Sequence, residues 1–486
     1  MNNFDTTVKA GGNRKRRICI TLYGSANHEG SEVSGLMIWQ SQLVNAYREK
    51  GFEVLELYFS VGKEAGSRDG NRIVFHVDPS ARRFGMRREL EKYGIRSGAA
   101  ALTLEAEMLR LFHVLDLDAF FIVNWISTGM ALWDVATKLE VPVFFLPTEH
   151  SAVCHLGFLL TPSGLACVGP EGGLKCSDCT NGVQVKQAVF RYRDWYSHKF
   201  YFIELAASWL PPKFRRSTVK FLSRLIVNQD SRLKPNVGRA RFESARRFLS
   251  FSKIYVVFQS KSQRKLFERS IGQQIQQFAP DVIIENRKLT YMANLDRRKI
   301  GLRTSPKIFL FAARSGYDRG LNFLLDAWEA WKPKGSAASL ILCTDMLRMS
   351  VRFRINQLQR NGCQIELREG RLNELEYLEI HRQVHFVVNP ALWEEPLSGT
   401  VIEGFSLGTP AIVPSKTGSS DFLESANGFV FEFRDILSLV QRLNEASCIG
   451  EDWISLPKGA LEMSQKYRLL VRDKIDQIDK LIVDDS

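Results

Sequence analysis

Short apolar runs alternate with segments whose apolar residues recur at helical spacing, and the alternation starts twice. ICITLY (18–23) reads as a strand, LMIWQSQLVNAYREKG (36–51) as an amphipathic helix stopped at Gly51, and EVLELYF (53–59) as a second strand. That βαβ opening predicts a parallel sheet buried on both faces. DAFFIVNW (118–125), VPVFFLP (141–147) and IYVVFQS (254–260) extend it, with a helical ALWDVATKLE between the first two and a charged helix after the last. The pattern restarts with strand KIFLFAA (307–313), helix RGLNFLLDAWEAW (319–331) and strands SLILCTD (339–345) and VHFVVNP (384–390). A helix, TVIEGFSLG (400–408), and a strand, AIVPS (411–415), follow.

Two α/β domains follow from this rhythm. The expected division is a flexible basic N-terminus over 1–15, a first domain over 16–290 and a second over 306–452, joined by a charged, aperiodic stretch at 285–306. The pattern breaks between 154 and 247, which reads as an insertion in the first domain. The last segment, 455–486, reads as a long amphipathic helix able to pack back onto the first domain.

The 486 residues, 45% of them hydrophobic, suffice for such cores and exclude a disordered chain. The formal charge of +13 favours anionic partners, whether nucleotides, phosphates, nucleic acid or an acidic membrane surface. No stretch of eighteen consecutive apolar residues is present, so no membrane span is expected. Eight cysteines do not make a secreted disulfide scaffold, and a cytoplasmic protein is the default. Basic runs lie at 14–17, 82–88, 213–224 and 239–247; the one at 213–224, beside the aromatic and apolar residues of KFYFIELAASWLPPKFRRSTVKFLSRL, suits either contact with an anionic bilayer or packing as ordinary core and rim. None carries a zinc-finger, helix-turn-helix or RNP-like signature, which argues against nucleic acid.

The richest stretch for chemistry is WEEPLSGTVIEGFSLGTP (393–410). It follows a buried strand, where ligands of open parallel sheets gather. Ser398, Gly399 and Thr400 fall at the start of the next helix, whose free amides and dipole suit a phosphate. Glu395 lies in the loop and Glu403 about one turn into the helix. Their carboxylates suit hydroxyl recognition or acid/base work; the alternative is that Glu394 and Glu395 are solvated and Glu403 caps or pairs locally. In LFAARSGYDRG (310–320), Arg314 and Arg319 flank another strand-to-helix turn. Two cations there can offset a developing diphosphate charge.

This stretch resembles the Glu-x7-Glu signature of the retaining GT-B glycosyltransferases of family 4. Glu395-Pro396-Leu397-Ser398, Glu403-Gly404 and Gly408-Thr409-Pro410 take the family's places, with Leu397 for an aromatic residue and Ser398 for a glycine. The resemblance implies an α/β GT-B fold, two Rossmann-like domains facing across a cleft. It implies a nucleotide-diphosphate sugar as donor and a hydroxyl-bearing acceptor, a glycan or glycolipid in the family's common settings. Glu395 would then hold the donor sugar and Glu403 the ribose. The amides of Ser398, Gly399 and Thr400 would meet the diphosphate or sugar, and Arg314 and Arg319 the departing diphosphate. Glu394 falls outside the register. Gly418 and Asp421 in KTGSSDF fit the family's segment after the motif.

First-domain matches are looser. Gly35 stands where the family often has a second loop glycine near the donor, and His150 ends FFLPTEH, where the family often has histidine followed by aspartate. Ser151 replaces that aspartate. Cys154, Cys167, Cys176 and Cys179 form C-x12-C-x8-C-x2-C, a spacing that suits a structural zinc. An iron–sulfur site, a redox pair and buried free thiols are the alternatives. The resemblance implies no catalytic metal. The competing functions are a nucleotide-sugar hydrolase or epimerase on a similar fold and a basic nucleic-acid-binding protein.

Overall fold

The computed structural model describes residues 15–22, 35–61, 67–77, 99–123, 131–150, 152–154, 159, 167, 169, 171–173, 236–275, 278–279, 306–331, 338–345, 347, 349–370, 372–450, 453 and 455–484. They form two sheets. The first contains β1 (Arg17–Leu22), β2 (Glu53–Val61), β3 (Ser67–Asp69), β4 (Arg72–Val77), β5 (Ala119–Ile122), β6 (Val143–Phe145), β7 (Ile254–Val257) and β8 (Phe278–Ala279). Its order is β3-β4-β2-β1-β5-β6-β7-β8, parallel except for the β3–β4 hairpin at one edge. Helices α1 (Gly35–Glu49), α2 (Ala99–Leu115), α3 (Ala131–Ala136), α4 (Asn236–Leu249) and α5 (Lys261–Ile271) accompany it.

The second sheet runs β11 (Ile365–Glu369), β10 (Ala338–Thr344), β9 (Lys307–Ala312), β12 (Phe386–Val388), β13 (Ala411–Pro414), β14 (Gly428–Phe431), and its strands pair in parallel. Its helices are α6 (Leu321–Trp331), α7 (Met349–Arg360), α8 (Glu374–Gln383), α9 (Gly399–Ser406) and α10 (Ile436–Cys448). Central strands are buried on both faces, which is why they read as unbroken apolar runs. Phe309, Leu310 and Phe311 of β9 are all buried, as are Phe120, Phe121 and Ile122 of β5.

Local chemistry sets the helix ends that matter for the site. Ser260 caps α5 by accepting from the Gln263 amide, and Gly272, at φ 67°, closes it in the left-handed conformation. Asn373 and Glu376 form a reciprocal capping box at the start of α8. Such caps contribute about 1 kcal/mol each.

The final helix, α11 (Ser455–Asp484), crosses both domains. Ala460 and Met463 pack on the second sheet's core, while Tyr467, Ile475, Ile478 and Ile482 pack on the first. Lys50 holds Asp476 and Asp479 of this helix. Residues 236–247, which fall at the end of the insertion expected over 154–247, belong to α4. Ala245, Phe248 and Leu249 of α4 belong to the first domain's core, where Phe248 stacks on Trp133 at 5.1 Å. The basic Arg239, Arg246 and Arg247 lie on the opposite, exposed side, which masked the helix's buried stripe in the sequence. Among the described residues no helix is long and apolar enough to cross a membrane.

Candidate functional site

In the second sheet, β9 connects through α6 to β10 on one side, whereas its other neighbour, β12, connects onward to β13. The winding therefore reverses between β9 and β12, and a crevice opens beyond the carboxyl ends of these two strands. The loops bordering it are 313–320 and 389–398. They are knitted together: the Leu392 amide donates to the Asp318 carbonyl at 2.9 Å, and the Thr400 hydroxyl to the Ala312 carbonyl at 2.9 Å. Gly320 has φ 74°, and a Cβ there would sit 1.8 Å from the Pro390 oxygen, so this turn admits only glycine.

Glu395 is buried in that crevice at 4% exposure. One carboxylate oxygen pairs with the Arg319 guanidinium, and the other accepts from the Asn389 side-chain amide at 3.0 Å. Arg319 also meets Asp318 at 3.4 Å and lies over the Trp393 ring at 5.7 Å. Arg314 is exposed at the mouth of the same loop. The structure thus brings Glu395 and Arg319 into direct contact. Asn389 and Asp318 complete the cluster. Neither stood out in the sequence, because their part depends on which loop lies opposite.

Glu403 sits one turn into α9 and accepts a hydrogen bond from the Tyr377 phenol at 3.0 Å. Burial pushes its carboxyl up to about 7, against the lowering effect of that phenol. At the start of α9, Ser398 is in N-cap position without a side-chain cap bond, and its amide donates to the Ser419 hydroxyl at 3.0 Å. That amide is therefore occupied. The amides of Gly399 and Thr400 lack intrahelical acceptors by position. Gly399 is exposed, and a Cβ there would meet nothing within 4 Å, which leaves the helix start open to a ligand.

His150 lies at the junction of the two domains, with no exposed surface. Its Nε2 donates to the Glu394 carbonyl at 2.6 Å, and its ring meets Phe267 and Trp393 edge-on. Burial, with Arg269 nearby, lowers its pKa to about 4, so the ring is neutral. Glu394, which falls outside the register of the motif, has a contact of its own at the domain junction. Its carboxylate pairs with Arg269 of α5 at 3.1 Å. Around it, the Ser260 hydroxyl donates to the Pro396 carbonyl at 2.8 Å, and Asp421 accepts from the Ser262 amide and hydroxyl, both at 2.7 Å. The start of α5 thus grips the Glu-motif loop and the 418–421 turn of the other domain.

Gly35 opens α1, and the loop before it, 23–34, lies outside the described residues. Cys154 and Cys167 pack against the first domain's core, and the Cys167 thiol donates to the Gly169 carbonyl at 3.5 Å. Cys176 and Cys179 lie outside the described residues, as does the basic run 213–224. Among the described residues no group of three or more histidine, cysteine or acidic side chains could hold a metal ion.

Two parallel-sheet domains, each with its helices, place this chain in the GT-B fold. A glycosyltransferase from Rickettsia africae matches with TM-score 0.56 and 12% identity over 97% of this chain and all of the other. Sucrose-phosphate synthase from Thermosynechococcus elongatus matches with the same TM-score, identity and coverage. Anabaena Alr3699/HepE, solved with UDP-glucose, matches with TM-score 0.53 and 11% identity over 96% of this chain and 99% of the other. Within that fold, residues 306–447 match the family model described as Glycosyl transferases group 1, so the match falls on the domain that holds the crevice. No curated protein matches the chain in sequence.

Proposed function

We propose that the chain is a retaining glycosyltransferase that moves a sugar from a nucleotide-diphosphate sugar to an acceptor hydroxyl. The observation that carries this reading is the convergence of Glu395, Arg319 and Asn389 in the crevice between β9 and β12, with Glu403 one turn into the helix that leaves it. The donor binds mainly on the second domain, and the acceptor enters from the first. Glu395 accepts hydroxyls of the donor sugar, Asn389 orients its carboxylate, and Glu403 accepts from the ribose. Arg319 and Arg314 take the diphosphate with the Gly399 and Thr400 amides. Arg319 reaches it by exchanging part of its contact with Glu395.

In the reaction the bond from the anomeric carbon to the diphosphate breaks as the acceptor oxygen bonds to the same face. The departing phosphate oxygen takes the acceptor's proton, and the arginines stabilise the charge left behind. The neutral His150 holds the Glu394 carbonyl and so acts here as a support of the loop rather than as a base. Work in glycan or glycolipid assembly at the inner face of a membrane would suit the chain's positive charge, through the basic segment beyond the described residues.

Mass-spectrometric screening of nucleotide sugars for transfer or hydrolysis tests the proposal, with Glu395→Ala as control. UDP-sugars are the first donors to try, since a structurally similar protein was solved with UDP-glucose. The expected result is turnover of at least one donor that the control loses. Absence of saturable binding for every nucleotide sugar would overturn it.

A further inference from the structure

Glu403 does not stand alone in the crevice wall. Tyr377 on α8 donates its phenol to the Glu403 Oε2, and one turn later His381 packs edge-on against the Tyr377 ring at 4.6 Å. His381 in turn places Nδ1 3.1 Å from the Thr409 hydroxyl. Thr409 follows the helix that carries Glu403, and its amide donates back to Gly404 at 2.7 Å. Helix α8 therefore touches α9 at two points, the carboxylate near its start and the turn after its end. The capping box at Asn373 fixes where α8 begins, one turn before Tyr377.

This frame leaves the carboxylate with one oxygen committed. Burial foremost, with the charge of Glu403 behind it, pushes the Tyr377 phenol well above its ordinary pKa, so it remains a donor. Oε1 of Glu403 has no hydrogen-bond partner among the described residues. A phenol is rigid, with only two side-chain torsions, and its hydroxyl sets the plane in which the free oxygen points.

We propose that Tyr377 is a positioning residue that turns Oε1 of Glu403 toward a hydroxyl of the nucleotide's ribose, and so sets the preference for ribonucleotides over deoxyribonucleotides. The proposal rests on the donor reading given above. It adds a residue 26 positions from Glu403 in the chain, on a helix that carries no part of the Glu motif.

Calorimetric titration of the full chain with nucleoside diphosphates of each base, and with their 2′-deoxy and 3′-deoxy counterparts, tests it. The wild-type protein is expected to bind a ribonucleotide about tenfold more tightly than at least one deoxy counterpart, the value of one hydrogen bond to a charged group. Tyr377→Phe keeps the ring against His381 and removes only the hydroxyl. It is expected to erase that preference by weakening the ribonucleotide alone, and to raise the donor KM much more than it lowers kcat. In a Glu403→Ala background, which removes the acceptor of the Tyr377 phenol, the same change is expected to alter affinity by less than twofold, because the effect runs through Glu403.

Equal weakening of ribo and deoxy ligands by Tyr377→Phe, or multiplicative effects in the double variant, would show a general structural role and overturn the proposal. So would a wild type that binds both classes equally. Binding of no nucleoside diphosphate at all by the wild type would instead remove the donor reading, and this inference with it. Should Tyr377→Phe not fold, 4-aminophenylalanine in place of Tyr377 supplies a ring donor at the same place, and retained ribose preference is then the expected result and its loss the overturning one.

Discussion

Replacing Glu403 by glutamine should make the protein more stable and a poorer nucleotide binder. Glu403 is held with its carboxyl at about 7, against an ordinary value of 4.5, because burial on α9 disfavours the charged form and the single Tyr377 donor only partly compensates. In the unfolded chain the carboxyl ionises near its ordinary value. The folded state is therefore favoured by this group below pH 4.5, and that advantage is lost as pH rises through 7. Ionisation in place then costs about 3 kcal/mol at pH 8, trimmed to about 2 kcal/mol by the solvent that reaches the partly exposed side chain. Glutamine avoids the charge and still accepts from Tyr377 through its amide oxygen. For a domain of this size each kcal/mol shifts the melting temperature by about 2–4 °C, so Glu403→Gln is expected to melt about 4–8 °C higher at pH 8. At pH 4.5 the two proteins should melt together. Scanning calorimetry of the ligand-free pair from pH 4.5 to 8.5 reads this directly. A melting difference that stays constant across that range would refute the reasoning, since the ionisation of Glu403 would then have no bearing on stability.

Other expectations follow from the domain junction. Glu394→Ala and Arg269→Ala should each loosen the junction, with a coupling of about 0.5–1 kcal/mol in a double-mutant cycle of thermal unfolding, as for a partly exposed pair. Gly418→Ala places a methyl 1.6 Å from the Pro396 oxygen and 2.3 Å from the Ser260 hydroxyl, so it should force the 418–421 turn off both the Glu-motif loop and the first domain. Faster limited proteolysis at unchanged secondary structure would register this, and an unaltered digestion rate would contradict it. Because burial holds His150 neutral with its pKa near 4, stability from this group should be intact above pH 6.5 and fall as pH drops toward 4. His150→Gln, which retains an N–H donor for the Glu394 carbonyl, should flatten that fall in a pH series of melts, whereas a wild-type-like slope in the variant would tell against it.

What could be read from the chain, and what could not, follows from range. The central strands β1, β5, β9 and β13 are buried on both faces and stand out as apolar runs. Strand β11, IELRE, lies at a sheet edge with Glu366 and Glu369 exposed, and its mixed pattern hides it. The β3–β4 hairpin, at the opposite edge of the other sheet, is hidden for the same reason. Glu395 and Glu403 are separated by a turn and one helical turn, so local spacing suffices to pair them. Asn389 was equally close in sequence but reads as a strand end until its amide is seen against Glu395. Tyr377, Arg269 and Ser262 meet their partners across 26, 125 and 159 residues, and no periodicity reports contacts of that reach.

The adjacent acids Glu394 and Glu395 show how one local choice serves both ranges. The Glu395 amide donates to the Trp393 carbonyl at 2.7 Å, a three-residue turn centred on Glu394. That turn sends Glu395 into the crevice between β9 and β12 and Glu394 toward α5. The backbone of Glu394 is held by His150, its side chain by Arg269, and the next carbonyls in the loop by Ser260 and by the Gly418 amide at 2.8 Å. A shift of the first domain therefore acts on the same three residues that aim Glu395. On the proposed function, the domain that admits the acceptor also sets the carboxylate that holds the donor sugar, and substitutions at Glu394 or Arg269 alter donor use without touching the donor.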